Sequence, residues 1–129
     1  MTSDRWKFAL LMVAAVATLA LGEALIARGM KQAGQGSVGW LAGAKAALTN
    51  AWVVAGTLTL GLHLALYATA LAGADLSLVM PLTAASYPLG TLLARFLLHE
   101  DVNLARWVGT TVIALGVAVV AWGEARPSP

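Results

Sequence analysis

The stretch FALLMVAAVATLALGEALIARGMK, Phe8 to Lys31, decides how the chain is read. From Phe8 to Gly22 it runs 15 residues without a charge; Glu23 then appears while the apolar pattern still has two turns to go. A helix needs about 20 mostly apolar residues to cross ~30 Å of hydrocarbon. The stretch therefore predicts a membrane span from about Phe8 to Met30, closed by Trp6 and Lys7 at one end and by Lys31 at the other. Glu23 lies eight residues before Lys31, about 12 Å along the helix at ~1.5 Å per residue. An acid at that depth costs at least ~2.5 kcal/mol, so its presence needs a reason.

The rest of the chain reads the same way. Of 129 residues, 60% are hydrophobic and 11% charged, and mean hydropathy is +0.80. Average soluble domains carry about 25% charged residues. No Asp, Glu, Lys or Arg lies between Lys45 and Asp75, between Asp75 and Arg95, or between Arg106 and Glu124. Those gaps predict three further spans, about 51–71, 76–98 and 104–122, making one four-helix transmembrane domain over 1–129. An all-α membrane protein follows. Its net charge is +2, with basic residues at segment edges, so nucleic acid is not an expected partner. The apolar run after Arg5 and Lys7 is too long for a signal peptide core, which predicts a retained first span.

Short links, AGAD (72–75) and HEDVN (99–103), make successive spans antiparallel neighbours. A Gly-rich connection, KQAGQGSVGWLAGAK (31–45), joins the first two. All five tryptophans fall in connections or near span ends, where amphipathic rings favour the headgroups. Pro81 and Pro88 predict a bend in span three. Five basic residues against three favour the 31–45 loop inside the cell.

The intramembrane polar residues are the candidate site. Ala20, Ala27 and Met30 share the Glu23 face at helical spacing, a stripe narrow enough to admit a neighbouring helix or a substrate. Burial would raise the Glu23 pKa toward neutrality, as proton exchange requires. The plainer reading ends span one early and leaves Glu23 at the interface beside Arg28. Thr59, His63 and Tyr67 fall at i, i+4 and i+8 on one face of span two. They read either as cavity lining or as hydrogen bonds that hold the bundle. In span three Thr83, Ser86, Gly90 and Ala94 make a small-residue face, with Pro81 and Tyr87 near it. Gly109 and Gly116, seven apart in GTTVIALG, offer span four a close contact. There are no cysteines, and His63 and His99 are the only histidines; no metal or other cofactor is expected. No nucleophile, base and orienter set is present, which argues against an enzyme.

These residues resemble the drug/metabolite transporter superfamily in its short four-span form. In the small multidrug resistance branch a first-span glutamate stands eight residues before a closing lysine, as Glu23 stands before Lys31. Gly109, Gly116 and Val117 match that branch's fourth span, and HEDVN aligns without a gap. The resemblance implies that Glu23 is a shared proton and substrate carboxylate and that span four forms a dimer contact. The branch's aromatic drug pocket is missing: its third-span tyrosine and tryptophan fall on Val79 and Leu82, and its second-span aromatics near Thr59 and His63.

A second branch, the paired small flippase subunits that move undecaprenyl-phosphate-linked aminoarabinose, is similar at Pro81, Thr91, His99-Glu100, Trp107 and Gly109, and at Lys31 to Ala33. EamA-like transporters share the texture PL…LLHE…RWVGT…IALGV. The expectation is therefore a dimeric or two-subunit transporter in a cytoplasmic membrane, multi-pass and in contact with membrane lipid. It would alternate access around Glu23 for a polar or amine-bearing metabolite or a lipid-linked sugar. A proton-independent flippase subunit, holding a lipid phosphate through Lys31 or Arg28, and a non-transporting accessory protein are the rival expectations.

Overall fold

The computed structural model describes residues 2–35 and 38–126, and every regular element among them is a helix. Four helical segments are long and apolar enough to cross a membrane: Asp4–Gly34, Ala51–Gly73, Leu76–Phe96 and Leu104–Glu124. The first belongs to α1 (Thr2–Gly34), the second to α3 (Ala51–Gly73) and the fourth to α6 (Leu104–Ala125). The third is divided into α4 (Leu76–Thr83) and α5 (Ser86–Phe96). Between α1 and α3 the 31–45 connection leads into a short helix, α2 (Trp40–Thr49), which carries a single charge, Lys45.

The break in span three follows from its prolines. Pro88 has no N–H to give the Ala84 carbonyl four residues back, and that carbonyl accepts instead from Tyr87 N at 3.0 Å. Ala84 N and Ala85 N likewise turn three residues back, to Pro81 O at 3.0 Å and Leu82 O at 3.1 Å. One tight turn at Ala84–Ala85 thus separates two helical halves, between the two prolines.

Helix starts are set by asparagines. Asn50 caps α3, its side chain accepting from Trp52 N at 2.9 Å and Val53 N at 3.4 Å. Asn103 caps α6, accepting from Arg106 N at 2.9 Å. Each satisfies amides that have no partner inside the helix. At the other end of the 97–103 link, His99 takes a left-handed φ of 54°. That turn sends Glu100 N back to Ala94 O at 2.9 Å, and the Glu100 carboxylate pairs with Lys31 of α1.

The closest seam joins α1 and α3. Glycines from both helices meet at its centre: a Cβ built on Gly56 would lie 2.6 Å from Ile26 Cγ1 and 2.7 Å from the Gly22 carbonyl oxygen. On Gly29 it would lie 2.5 Å from Val53 Cγ2 and 2.7 Å from Val53 N. Absent side chains let the backbones approach, as is common between membrane helices. Farther along the same seam His63 Nδ1 lies 2.7 Å from the Ala15 carbonyl oxygen, and Met12, Ala70 and Val79 form a small buried cluster with Tyr67 against it. By contrast α6 rests on α4 and α5, leaving Val108, Val112, Leu115, Val119 and Trp122 exposed.

Candidate functional site

Facing helices with small side chains leave a space between them. On α1, Ala20, Ala24 and Ala27 lie along one stripe; on α5, Ser86, Gly90 and Ala94 recur every four residues. Between these stripes and the start of α6 is a groove of about 330 Å³, at the small end of the ~300–1,000 Å³ usual for ligand sites. Glu23, Ser86, Tyr87, Thr91, Glu100 and Arg106 supply its polar groups. Thr91 Oγ1 and Thr110 Oγ1, 3.1 Å apart, tie its α5 wall to α6.

Glu23 is exposed to this groove, whereas Ala20 and Ala24 beside it are buried. Among the described residues no ion pair or side-chain hydrogen bond engages its carboxylate. Lys31, two turns on, is held by Glu100. Arg28 lies over the Trp52 ring at 4.5 Å from its centroid, a cation–π contact of the kind that anchors a helix end. Neither Arg28 nor Lys31 lines the groove; Arg106 does.

Of the seven residues read from the sequence as a substrate and proton site, the groove brings together Glu23, Ser86 and Tyr87. Thr59, His63, Tyr67 and Pro81 are outside its lining. The Thr59 hydroxyl donates to Ala55 O at 2.8 Å within its own helix. His63 reaches across to Ala15 O, and Tyr67 sits 5.8 Å from the His63 ring, centroid to centroid. Of that stripe, His63 bonds to α1 and Tyr67 packs beside Met12 of α1, so these two serve the helix contact rather than the groove. Gly109 and Gly116 lie on α6, where an added Cβ would meet nothing within 4 Å.

Polar groove residues that sequence reading did not assign to a site are Thr91, Glu100 and Arg106. Arg106 was legible only as a basic residue at a span end. What places it here is the reversal at His99, which brings the start of α6 beside the Lys31 end of α1.

A second cavity, about 690 Å³, lies along the same side of α1 toward its start. Its walls are hydrocarbon: Phe8, Met12, Val16, Leu78, Leu82 and Val117 among them. Its charges, Asp4, Arg5 and Glu124, belong to residues near the chain ends. The two spaces are successive along the helices. Ala17 and Ala85 line the apolar one, while Ala20 and Ser86 line the polar one. The break at Ala84–Ala85 is at their boundary.

No family profile matches the chain, and no solved structure matches it. Curated relatives do. A protein of Yersinia pestis (strain Pestoides F), named "Probable 4-amino-4-deoxy-L-arabinose-phosphoundecaprenol flippase subunit ArnE", is 29% identical over 75 residues, 58% of this chain and 66% of the relative. One of the same name from Serratia proteamaculans (strain 568) is 32% identical over 74 residues, 57% of this chain and 64% of the relative. The chain is an all-helical protein with four segments long and apolar enough to cross a membrane, and over part of its length it is similar to these flippase subunits. The chain matches just under two thirds of the length of those relatives. Their name describes a transport role and a subunit of a larger unit, and its cargo joins an amine-bearing sugar, a phosphate and a lipid.

Proposed function

We propose that this chain is one subunit of an inner-membrane transporter that moves an amine-bearing sugar carried on a lipid, with Glu23 as the group that receives the amine. The observation that carries the reading is an acid with no partner among the described residues, opening into a small-walled groove about 12 Å along its helix from Lys31. A carboxylate there is costly until a cation meets it or a proton neutralises it. Either event is a step of carriage: a proton and the cargo's ammonium group compete for one carboxylate.

Ser86 and Tyr87 offer hydroxyls to the sugar, and the groove's volume suits a monosaccharide-sized head. The missing aromatic pair at Val79 and Leu82 argues against planar drug cations. Alternating access fits the position of the Ala84–Ala85 break, since tilting α5 against α4 there would widen one cavity as it narrows the other. A second copy or a related four-span subunit would complete the carrier, and the open face of α6 around Gly109 and Gly116 is the surface we assign to it.

The test is proton release. Purified protein in weakly buffered detergent near neutral pH is titrated with an alkyl glycoside of an amino sugar, with and without Glu23→Gln. The expected result is about one proton released per bound ligand in the unaltered protein and none in the variant. Equal release from both, or tighter binding of a planar aromatic cation than of the glycoside, would overturn the reading. A chain that binds no glycoside at all fits an accessory protein instead.

A further inference from the structure

We infer that Arg106 is the phosphate-binding residue of this groove, standing at its mouth while Glu23 holds the amine inside. The inference rests on the reading of Glu23 given above and adds the second half of the recognition.

Four basic residues are weighed for this role, Arg28, Lys31, Arg95 and Arg106, and two are committed elsewhere. Lys31 pairs with Glu100, and the Arg28 guanidinium lies over Trp52. Arg95, on α5, is not among the groove-lining residues. Arg106 lines the groove, is exposed, and among the described residues has no carboxylate partner. It belongs to the first turn of α6, where the helix dipole adds to its positive charge. A guanidinium presents paired donors that match phosphate oxygens, which an ammonium does not.

The order of charges also suits such a ligand. Glu23 is two turns deep and Arg106 is at the level where Glu100 meets Lys31, the headgroup end. A head group inserted amine first would leave its phosphate at Arg106 and its hydrocarbon chain in the bilayer, so that no lipid tail need enter a 330 Å³ space. Glu100 lines the same groove and would compete for Arg106. Lys31 prevents this by holding the Glu100 carboxylate, which gives the ion pair a positioning role.

Two half-ligands separate the claims: hexadecyl phosphate, which has no amine, and the amino-sugar alkyl glycoside, which has no phosphate. Binding is measured to the full chain in phosphatidylcholine nanodiscs. Losing a charge-assisted phosphate contact should weaken hexadecyl phosphate about tenfold or more in Arg106→Gln, with only part of the affinity regained in Arg106→Lys. Glycoside binding by Arg106→Gln should stay within about twofold, which also reports that the variant is folded.

Unchanged hexadecyl phosphate binding in a variant that still binds the glycoside would refute the role of Arg106 and leave Glu23 untouched. Conversely, Glu23→Gln with unaltered glycoside binding would refute the amine site, while the phosphate arm still reads Arg106. Inorganic phosphate competing as well as hexadecyl phosphate would overturn the assignment to a lipid-borne phosphate.

Discussion

Replacing Gly56 by alanine should weaken the bundle, although the same change elsewhere on α3 should not. The new Cβ would lie 2.6 Å from Ile26 Cγ1, 2.7 Å from the Gly22 carbonyl oxygen and 2.8 Å from Ile26 N. Ordinary contact between carbon atoms begins near 3.5 Å, so α1 and α3 must part by about 1 Å. Two of the three obstacles are backbone atoms, so no change of rotamer relieves the clash.

Overpacking of this kind costs about 1–3 kcal/mol. Parting the helices also stretches the 2.7 Å contact between His63 and Ala15 O, worth about 0.6 kcal/mol for an average interhelical bond in a membrane. Alanine's helix propensity returns up to ~1 kcal/mol. The net expectation is a loss of about 1–2 kcal/mol. Gly61, on the same helix with nothing within 4 Å of an added Cβ, supplies the control: Gly61→Ala should be neutral or stabilising by up to ~1 kcal/mol. Reversible unfolding in mixed micelles with increasing sodium dodecyl sulfate reads both variants. If Gly56→Ala proves as stable as Gly61→Ala, the seam described here is wrong.

Two further substitutions probe groups near the groove. His63→Phe should cost about 0.6 kcal/mol of stability, and under ~2, while glycoside binding stays unchanged; a large loss of binding would return His63 to the substrate site. Lys31 and Glu100 have side chains 52% and 33% exposed, so a double-mutant cycle with Lys31→Gln and Glu100→Gln should give a coupling of about 0.2–1 kcal/mol. A coupling several times larger would mean that the pair is shielded from water and bears on stability rather than on the position of Glu100.

Charge-free gaps carried most of the fold into the sequence, because crossing hydrocarbon imposes length and apolarity on each span separately. Glu23 and its small neighbours were legible for the same reason: an intramembrane acid is expensive enough to stand out alone. Pairwise relations were not. Gly22, Gly29 and Gly56 matter only once α1 and α3 are known to be partners, and in the sequence they are indistinguishable from glycines that merely tolerate a membrane helix, such as Gly61. The stripe of Thr59, His63 and Tyr67 pointed inward as its period required, but period does not say which side of α1 it meets. Choosing among Arg28, Lys31 and Arg106 required knowing what each already touches, and that depends on the left-handed turn at His99.

The glycine seam has a consequence for how such a molecule can change over generations. At Gly29 and Gly56 an added Cβ would meet the facing backbone, which no rotamer change can move aside, so these two glycines admit no gradual variation. The groove is the opposite case, for Gly90 could accept a methyl group that meets nothing within 4 Å, and its alanines could be enlarged one step at a time. New cargo can therefore be tried in one wall of the protein without disturbing the joint that holds it upright.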